Sequence, residues 1–414
     1  MKIALFGLGR SGLSVYNFLK NRALDEIYLI NSGEPQSWAC YDLVKAEHTY
    51  SDVGDLSFIK ALDFIVLSPG IPRTHSALDI AHKNSIPIIS EIEFAYLNSD
   101  IPIVGITGTN GKTTTTTMIG DILSRLGLKV FVCGNIGRPF SDLLLEQDSY
   151  DYAIVELSSF QLESINKFHP LIAVHLNLSA NHMERYSSIE DYKVAKDEIF
   201  KNQISEDLAI TFSKNGPTKA QNIIIKEITG FDLSHSKLVG EHNKTNFFCA
   251  YEVAKFISKR NIDKEFQGFI NEFTGVEFRL QFLASAHGIN FYNDAKSTNS
   301  AATIAAVAAF ENIENLSLIL GGKLRDNSID IQHEIDFSKL KNVFVFGEAR
   351  DLLQENINSS NLHTFEKLED IFDYVKLKKI EGDLVFSPAF PSFDQYKNYE
   401  ERRRHFTDLV NRFK

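Results

Sequence analysis

Short apolar runs alternate with helical patterns along almost the whole of this 414-residue chain. Strands that alternate with helices build parallel sheets whose faces are covered by those helices. The alternation therefore predicts the α/β class, and it constrains the fold more than any other feature of the sequence. The runs are KIALF, EIYLI, DFIVLSP, IPIVGIT, YAIVELS, LIAVHLNL, LAITF, INFYND, SLILGG, NVFVFG and DLVFSPA.

The length of the chain bears on its domain organisation, because one hydrophobic core rarely supports so many residues. A new strand–helix series begins at IPIVGIT, and another begins at Ile289 after a largely helical stretch at 242–272. We therefore predict three domains, which span residues 1–93, 94–276 and 277–414.

Charge and cysteine content exclude several classes of protein. The net charge of −11 argues against a broad surface for nucleic acid or acidic membranes, since both need clustered Lys and Arg. Cys40, Cys133 and Cys249 lie far apart without a CxxC pair, so we expect neither a disulfide framework nor a zinc site. No apolar run approaches the roughly 18 residues of a membrane span, and glycines interrupt the first run too early for a signal peptide. We expect a cytoplasmic protein.

A glycine-rich loop joins the run IPIVGIT to a helical stretch. In such a loop, backbone N–H groups and the helix N-terminus turn toward phosphate oxygens. We expect Lys112 to reach the terminal phosphates and the Thr113 hydroxyl to coordinate Mg²⁺. Ile106 stands where the general GxxxxGK[ST] pattern has its first glycine, and a turn without a ligand is the alternative. The candidate phosphate ligands are Gly108, Thr109, Asn110, Gly111, Lys112, Thr113 and Thr114.

Two later strands end near polar residues of the kind that metals bind. Glu156 ends the run in YAIVELS, and His182 follows LIAVHLNL. The carboxyl ends of parallel strands share one edge of a sheet, so both side chains should lie near the phosphate loop. Taken singly, Glu156 could be a helix-capping carboxylate and His182 a loop histidine.

The helical stretch SIEDYKVAKDEIF places a lysine on its apolar side. Ile189, Tyr192, Ile199 and Phe200 define that predicted face, and Lys196 shares it. A lysine in such a place often covers apolar surface with its methylenes and keeps the ammonium in water. A functional amine is the other interpretation.

Several stretches together resemble the Mur ligase family. They are GTNGKTT at 108–114, GNIG at 134–137, ELSSFQLE at 156–163, NHMERY at 181–186, YKVAKDEIF at 192–200, GEHNKTN at 240–246, NDAKSTN at 293–299 and SPAFPSFDQYKNYEERR at 387–403. The phosphate loop is shared with folylpolyglutamate synthetases. ELSSFQLE and SFDQYKNYEER are typical of the branch of the family that adds D-glutamate.

The resemblance implies a fold and an activity. The fold would have an N-terminal Rossmann-like domain for the UDP substrate, a central P-loop ATPase domain with a mainly parallel sheet, and a C-terminal Rossmann-like domain that closes over ATP. The activity would be ATP-dependent addition of D-glutamate to UDP-N-acetylmuramoyl-L-alanine through an acyl phosphate, in peptidoglycan precursor synthesis. The implied cofactors are ATP, two Mg²⁺ ions and a CO₂-derived carbamate on a lysine, and a monomer is expected.

The resemblance also assigns roles to residues. Lys112, Glu156, His182 and Lys196 would be catalytic, and the metal ligands would be Thr113, Glu156, His182 and carbamylated Lys196. Beyond the phosphate loop, ATP would contact Asn243, Asn246, Arg279 and Asp294. The UDP substrate would contact Ser11, Ser68, Pro69, Gly70 and Asn135. The D-glutamate pocket would contain Lys296, Thr298, Arg325, Ser392, Phe393 and Tyr399.

Three other functions remain as alternatives. The first is another amide ligase of the Mur or folylpolyglutamate synthetase type. The second is a nucleotide-dependent switch protein, although NKTN at 243–246 lacks the Asp of a guanine-binding NKxD motif. The third is a dehydrogenase, which rests on the GLGRSG loop at 7–12 alone. No acidic residue follows the second strand to hold a ribose, because Asn31 and Ser32 stand there.

Overall fold

The computed structural model of the chain describes residues 1–22, 26–45, 47–179, 185–213, 218–276, 280–324 and 331–414. In these residues the chain forms three sheets whose strands alternate with helices, which confirms the predicted α/β class. No helix in these ranges is both long enough and apolar enough to cross a bilayer.

The first sheet is entirely parallel and has the strand order β3-β2-β1-β4-β5. That order matches the first five strands of the doubly wound nucleotide-binding order 3-2-1-4-5-6. Apolar residues fill both of its faces. Its strands are β1 Lys2–Phe6, β2 Glu26–Asn31, β3 His48–Ser51, β4 Phe64–Leu67 and β5 Ile88–Ser90, and its helices are α1 Arg10–Arg22, α2 Tyr41–Val44, α3 Asp79–Lys83 and α4 Glu91–Leu97.

The second sheet is also parallel, with the order β11-β10-β9-β6-β8-β7. Its strands are β6 Ile103–Thr107, β7 Val130–Gly134, β8 Tyr152–Glu156, β9 Ile172–His175, β10 Leu208–Thr211 and β11 Gln221–Ile224. The helices of this region are α5 Lys112–Arg125, α6 Ser159–Leu162, α7 Ile189–Asp197, α8 His242–Ser258 and α9 Asp263–Glu272.

The third sheet has the order β12-β13-β17-β14-β15-β16, and only the β12–β13 pairing is antiparallel. Hydrophobic clusters cover both of its faces. Its strands are β12 Gln281–Ala286, β13 Ile289–Asn293, β14 Leu316–Gly321, β15 Asn342–Phe346, β16 Leu362–Phe365 and β17 Gly382–Ala389. Its helices are α10 Ser300–Ala308, α11 Ile331–Glu334, α12 Arg350–Asn356, α13 Leu368–Lys378 and α14 Tyr399–Phe413.

Backbone contacts divide the chain into two compact units. Unit 1 comprises Met1–Thr229 and Lys244–Phe266, and unit 2 comprises Gly230–Asn243 and Gln267–Lys414. Each predicted domain contains one sheet, and two of these sheets belong to unit 1. The predicted boundary at 93/94 falls within α4, and the three-domain boundaries stay predictions.

Helix α4 connects the two sheets of unit 1. Ser90 caps its first turn, since the Ser90 hydroxyl accepts a hydrogen bond from the Glu93 N–H at 3.2 Å. Phe94 packs in the core of the first sheet, while Ile92 and Ala95 pack in the core of the second. The helix therefore shares its apolar residues between two cores.

A buried carboxylate on α4 fixes the chain that leads into β9. Glu93 is 1% exposed and accepts the backbone N–H groups of Asn166, Lys167 and Phe168 at 2.9, 2.7 and 3.0 Å. Buried backbone donors need acceptors, and this one carboxylate serves three of them.

Glu93→Ala should therefore destabilise unit 1 strongly. The change leaves three backbone donors without their acceptor, and we expect a loss of about 3 kcal/mol or more in the free energy of unfolding. Urea unfolding followed by circular dichroism measures it. Glu265→Ala is the control, because that carboxylate forms an exposed ion pair with Arg260 at 2.7 Å. An equal shift in both variants would contradict the role of Glu93.

Candidate active site

The predicted phosphate loop lies between β6 and α5. Gly108 and Gly111 both have positive φ angles, 149° and 81°, and Gly111 caps the N-terminus of α5. A Cβ atom on Gly111 would lie 2.8 Å from the Asn246 side-chain oxygen, so glycine is required there for space as well as for conformation. The loop therefore presents a helix N-terminus with no side chain in front of it, the geometry that binds phosphates.

Asn177, just after β9, holds the loop in this shape. Its side-chain oxygen accepts the backbone N–H groups of Thr109 at 3.2 Å and Asn110 at 2.9 Å, and its amide donates to the Asn110 carbonyl at 3.0 Å. Sequence analysis gave Asn177 no role. Its place just past a strand that borders the phosphate loop was the available signal.

Two lysines meet at one backbone oxygen of the loop. The Gly108 carbonyl accepts the ammonium of Lys112 at 3.0 Å and that of Lys196, from α7, at 2.8 Å. Lys112 also donates to the Thr109 carbonyl at 2.9 Å. The structure thus brings Lys196 to the phosphate loop.

Burial changes the ionisation of Lys196. The residue is 1% exposed, and its ammonium lies 4.4 Å from the centre of the Tyr192 ring. Burial, followed by repulsion from Lys112, lowers the pKa of Lys196 to about 7. A substantial fraction of this side chain is therefore a neutral amine, and hence a nucleophile, near neutral pH.

The predicted apolar face of α7 is correct except at its first residue. Tyr192, Ile199 and Phe200 are buried, but Ile189 is 44% exposed. Ile189 begins α7, whose N-cap is Ser188, and at this helix end its side chain lies at the surface. The regular helix ends at Asp197, and a 3₁₀ turn carries Ile199 and Phe200 into the core.

Glu156 lies beside the first turn of α5. It is 2% exposed, and it accepts the Thr113 hydroxyl at 2.8 Å and the Asn135 amide at 2.9 Å. A hydroxyl and a carboxylate next to a phosphate site are the oxygen donors that Mg²⁺ takes, with phosphates and waters completing its shell. These residues fit a magnesium ion. The predicted ligand His182 lies outside the described residues.

Glu163 explains part of the ELSSFQLE motif. It accepts the Arg185 guanidinium at 3.2 and 2.5 Å and the Tyr186 hydroxyl at 2.5 Å. Tyr186 in turn packs against Tyr192, with 5.1 Å between ring centres. This carboxylate therefore anchors the segment that leads into α7, the helix of Lys196.

The GLGRSG loop lies at the carboxyl edge of the first sheet. The Ser68 hydroxyl donates to the Gly7 carbonyl at 2.8 Å, and a Cβ atom on Gly12 would lie 2.0 Å from that carbonyl. The Arg10 guanidinium donates to the Gly137 carbonyl of the GNIG segment at 3.3 Å. The structure thus joins the loops of two predicted substrate contacts, Ser68 and Asn135. Ser11 lies within the GLGRSG loop, and Pro69 and Gly70 follow Ser68.

The other predicted nucleotide residues differ in their surroundings. The Asn246 side-chain oxygen accepts the Thr115 hydroxyl at 3.2 Å, next to the phosphate loop in unit 1. The Asn243 amide donates to the Val239 carbonyl at 2.7 Å, within unit 2. Asp294, also in unit 2, accepts the Ser297 and Ser387 hydroxyls at 2.6 Å each. Arg279 lies outside the described residues.

The predicted D-glutamate residues belong to unit 2. Ser392 follows β17 and is 1% exposed, and its hydroxyl has no hydrogen-bond partner among the described residues. Lys296 and Phe393 are exposed, and Thr298 and Tyr399 are half-buried. Arg325 lies outside the described residues. Lys296 and Thr298 follow β13, beside β17 in a parallel pairing, so they and Ser392 share one edge of the third sheet.

Arg402 is a buried cation at this edge that sequence analysis left without a role. It is fully buried, and it donates to the carbonyls of Gly321 at 3.3 Å, Ala295 at 3.3 Å and Phe390 at 3.0 Å. Burial lowers the pKa of Arg402 to about 10, which still leaves it charged at neutral pH. It ties together the carboxyl ends of β13, β14 and β17. Its presence in SFDQYKNYEER was the only sequence signal.

Comparisons with known proteins give matches over nearly the whole chain. A family model described as "Mur ligase middle domain" matches residues 106–230, and one described as "Mur ligase MurD-like, N-terminal domain" matches residues 1–90. A Caldicellulosiruptor saccharolyticus protein named UDP-N-acetylmuramoylalanine--D-glutamate ligase is 33% identical, over 99% of this chain and 98% of the relative. A Caldicellulosiruptor bescii protein of the same name is 34% identical, over 99% and 97%.

A solved structure agrees with the fold. MurF from Acinetobacter baumannii aligns with a TM-score of 0.60 at 17% identity, over 100% of this chain and 93% of that one. At that identity the likeness concerns the fold alone.

Lys112→Ala tests the phosphate loop directly. Loss of one cation that neutralises developing phosphate charge should lower ATP turnover by about two to three decades, or about 3–4 kcal/mol. Steady-state phosphate release measures it, with circular dichroism to check folding. Lys129→Ala, which removes an exposed lysine paired with Asp148, should leave turnover unchanged. More than about a tenth of wild-type activity in Lys112→Ala would count against the assignment.

Proposed function

This chain belongs to the Mur ligase family, and from that premise we propose that it joins D-glutamate to UDP-N-acetylmuramoyl-L-alanine with conversion of ATP to ADP and phosphate. The observation that carries the proposal is identity of 33–34% over 99% of the chain to proteins named for that reaction. Two further observations support it. Lys112 and Lys196 both donate to the Gly108 carbonyl, and Glu156 accepts the Thr113 hydroxyl.

The reaction has two steps. In the first, the terminal carboxylate of the UDP substrate attacks the γ-phosphorus of ATP, so a carboxyl oxygen–phosphorus bond forms and the bond to the β-phosphate oxygen breaks. In the second, the D-glutamate amine attacks the acyl carbonyl carbon. The tetrahedral intermediate expels phosphate, the amine proton passes to solvent, and an amide remains.

Charge neutralisation is the main task of the protein in the first step, because two anions must meet. Lys112 is placed for it, since its ammonium already lies against the loop carbonyls beside the expected phosphates. Magnesium held by Thr113, Glu156 and His182 would supply further positive charge and orient the phosphate oxygens. The helix N-terminus of α5 adds its partial positive charge.

Lys196 acts as a carbamate in this proposal. A buried amine with a pKa of about 7 would react with CO₂ in its neutral form. The N–C bond would form as one C=O π bond opens to a carboxylate oxygen, and the amine would lose a proton to solvent. The product carries a carboxylate-like group in place of an ammonium. That group relieves the repulsion with Lys112 and suits a magnesium shell.

The second unit would supply the amino-acid pocket. The buried Ser392 hydroxyl, with no partner among the described residues, is suited to bind a substrate carboxylate, and Lys296 and Arg325 carry matching charge. Thr298, Phe393 and Tyr399 would complete the pocket. This reaction makes a cytoplasmic precursor, and we propose a cytoplasmic monomer without nucleic-acid partners.

Amino-acid selectivity tests the proposed function. With UDP-N-acetylmuramoyl-L-alanine and ATP present, D-glutamate should stimulate phosphate release and yield an amide product seen by mass spectrometry. L-Alanine and a diamino acid should each give no more than about a hundredth of that rate, because a site built for charged groups rejects ligands that leave them unpaired. L-Glutamate should be as poor, because the enantiomer cannot set both carboxylates and the amine on the same three positions at once. Equal stimulation by L-alanine or a diamino acid would favour another ligase of the family.

Lys196→Ala tests the carbamate. This variant should lose nearly all activity, and added acetate should restore part of it by occupying the vacated carboxylate position. Lys201→Ala, which removes an exposed lysine just past the same helix that pairs with Glu198 at 2.9 Å, is the control for local damage and should not respond to acetate. Full activity of Lys196→Ala would exclude the carbamate. Loss with an equal acetate response in the control would exclude specific rescue.

A further inference from the structure

A histidine and an aspartate join the helix of Lys196 to the sheet that carries the phosphate loop. His175 ends β9 and Asp197 ends α7, and the His175 Nδ1 lies 2.9 Å from an Asp197 carboxylate oxygen. The other Asp197 oxygen accepts the Lys193 ammonium at 2.7 Å. Both side chains are removed from water, with exposed fractions of 1% for His175 and 11% for Asp197.

The His175–Asp197 pair lies between Thr107, just before the phosphate loop, and Lys196, whose ammonium reaches that loop. His175 is in register with Thr107 of β6, the residue immediately before Gly108. Asp197 immediately follows Lys196, whose ammonium donates to the Gly108 carbonyl. A single side-chain contact therefore closes a ring through β9, β6, the phosphate loop, Lys196 and Asp197.

The surroundings of His175 leave it little freedom. Its ring lies edge-on to Phe212, with 4.9 Å between ring centres, and 6.4 Å from the ring of Phe200. Burial lowers the pKa of His175, so the neutral ring is favoured despite Asp197. A neutral ring with its proton on Nδ1 donates to Asp197 and leaves Nε2 without a proton, which suits the absence of a partner for Nε2 among the described residues.

From this geometry we propose that His175 and Asp197 are positioning residues for Lys196, which set the place of its amine relative to the phosphate loop. The inference rests on the proposed function for the importance of that amine. Side-chain rotation and helix sliding are the two ways in which Lys196 could leave Gly108. Asp197 anchors the end of α7 one residue away from Lys196, so it restricts sliding of the helix.

A second histidine–aspartate pair in the same sheet provides the control, although its histidine is 30% exposed. The His169 Nε2 lies 2.6 Å from an Asp207 carboxylate oxygen. His169 precedes β9 and Asp207 precedes β10, so this pair lies at the amino ends of two adjacent strands of the sheet, away from the phosphate loop. A role in stability alone predicts similar consequences for the two pairs, whereas a positioning role predicts consequences at Lys196 only for His175–Asp197.

The test compares His175→Leu, His175→Asn and His169→Leu in the full-length chain. Leucine fills space without donating, whereas an asparagine amide occupies nearly the position of Nδ1 and still donates to Asp197. The first readout is the rate at which an amine-reactive reagent labels Lys196, followed by peptide mass spectrometry without substrates. We expect His175→Leu to raise that rate about tenfold or more, and the other two variants to stay within about twofold of wild type.

The second readout is catalysis. A misplacement of about 1 Å can cost about 100-fold in rate, so His175→Leu should lower kcat by about one to two decades, with the KM for ATP within about twofold. His175→Asn should restore most of kcat. Asp197→Asn, which keeps the volume but loses the charge, should lie between wild type and His175→Leu in both readouts and serves if His175→Leu fails to fold.

Two outcomes would overturn the inference. One is unchanged Lys196 labelling in His175→Leu or, if that variant does not fold, in Asp197→Asn. The other is an equal rise in His169→Leu. Because labelling needs no substrate, it is informative even if D-glutamate proves not to be the substrate, which only the phosphate-release assay reports.

Discussion

The carbonyl oxygen of Gly108 is the point on which the arrangement of the site depends, because two ammonium groups converge on it. Like charges this close repel, and burial adds a further penalty for Lys196. The site therefore favours either a neutral amine or an anion nearby. Phosphate, a carbamate or both would meet that need.

The neighbouring structure keeps that carbonyl in place. Asn177 fixes the loop from the side of β9, and the positive φ angles at Gly108 and Gly111 let the backbone turn its N–H groups outward. Glu163 anchors the chain that enters α7, and Asp197 holds the end of the same helix. A pre-formed site of this kind needs little reorganisation when charge develops in the reaction.

In unit 2, the buried guanidinium of Arg402 holds the carboxyl edge of the third sheet in place. The guanidinium donates hydrogen bonds to three backbone carbonyls from separate segments, those of Ala295, Gly321 and Phe390. A guanidinium can serve several acceptors at fixed angles, so one side chain fixes several turns at once. The charge of Asp394 opposes the lowering of the Arg402 pKa by burial.

The sequence by itself determined the fold class, the phosphate loop and the strands at the centre of each sheet. Each apolar run identified in the sequence became a strand, and the strands it did not reveal are β3, β5, β7, β11, β12 and β16. All six lie at sheet edges. An edge strand has one strand neighbour and is often short and partly exposed, so its composition need not be continuously apolar. Only the tertiary structure decided the roles of His175, Asn177, Asp197 and Arg402. Each acts through a partner distant in sequence, and no local pattern records which polar groups folding will bring within hydrogen-bonding distance.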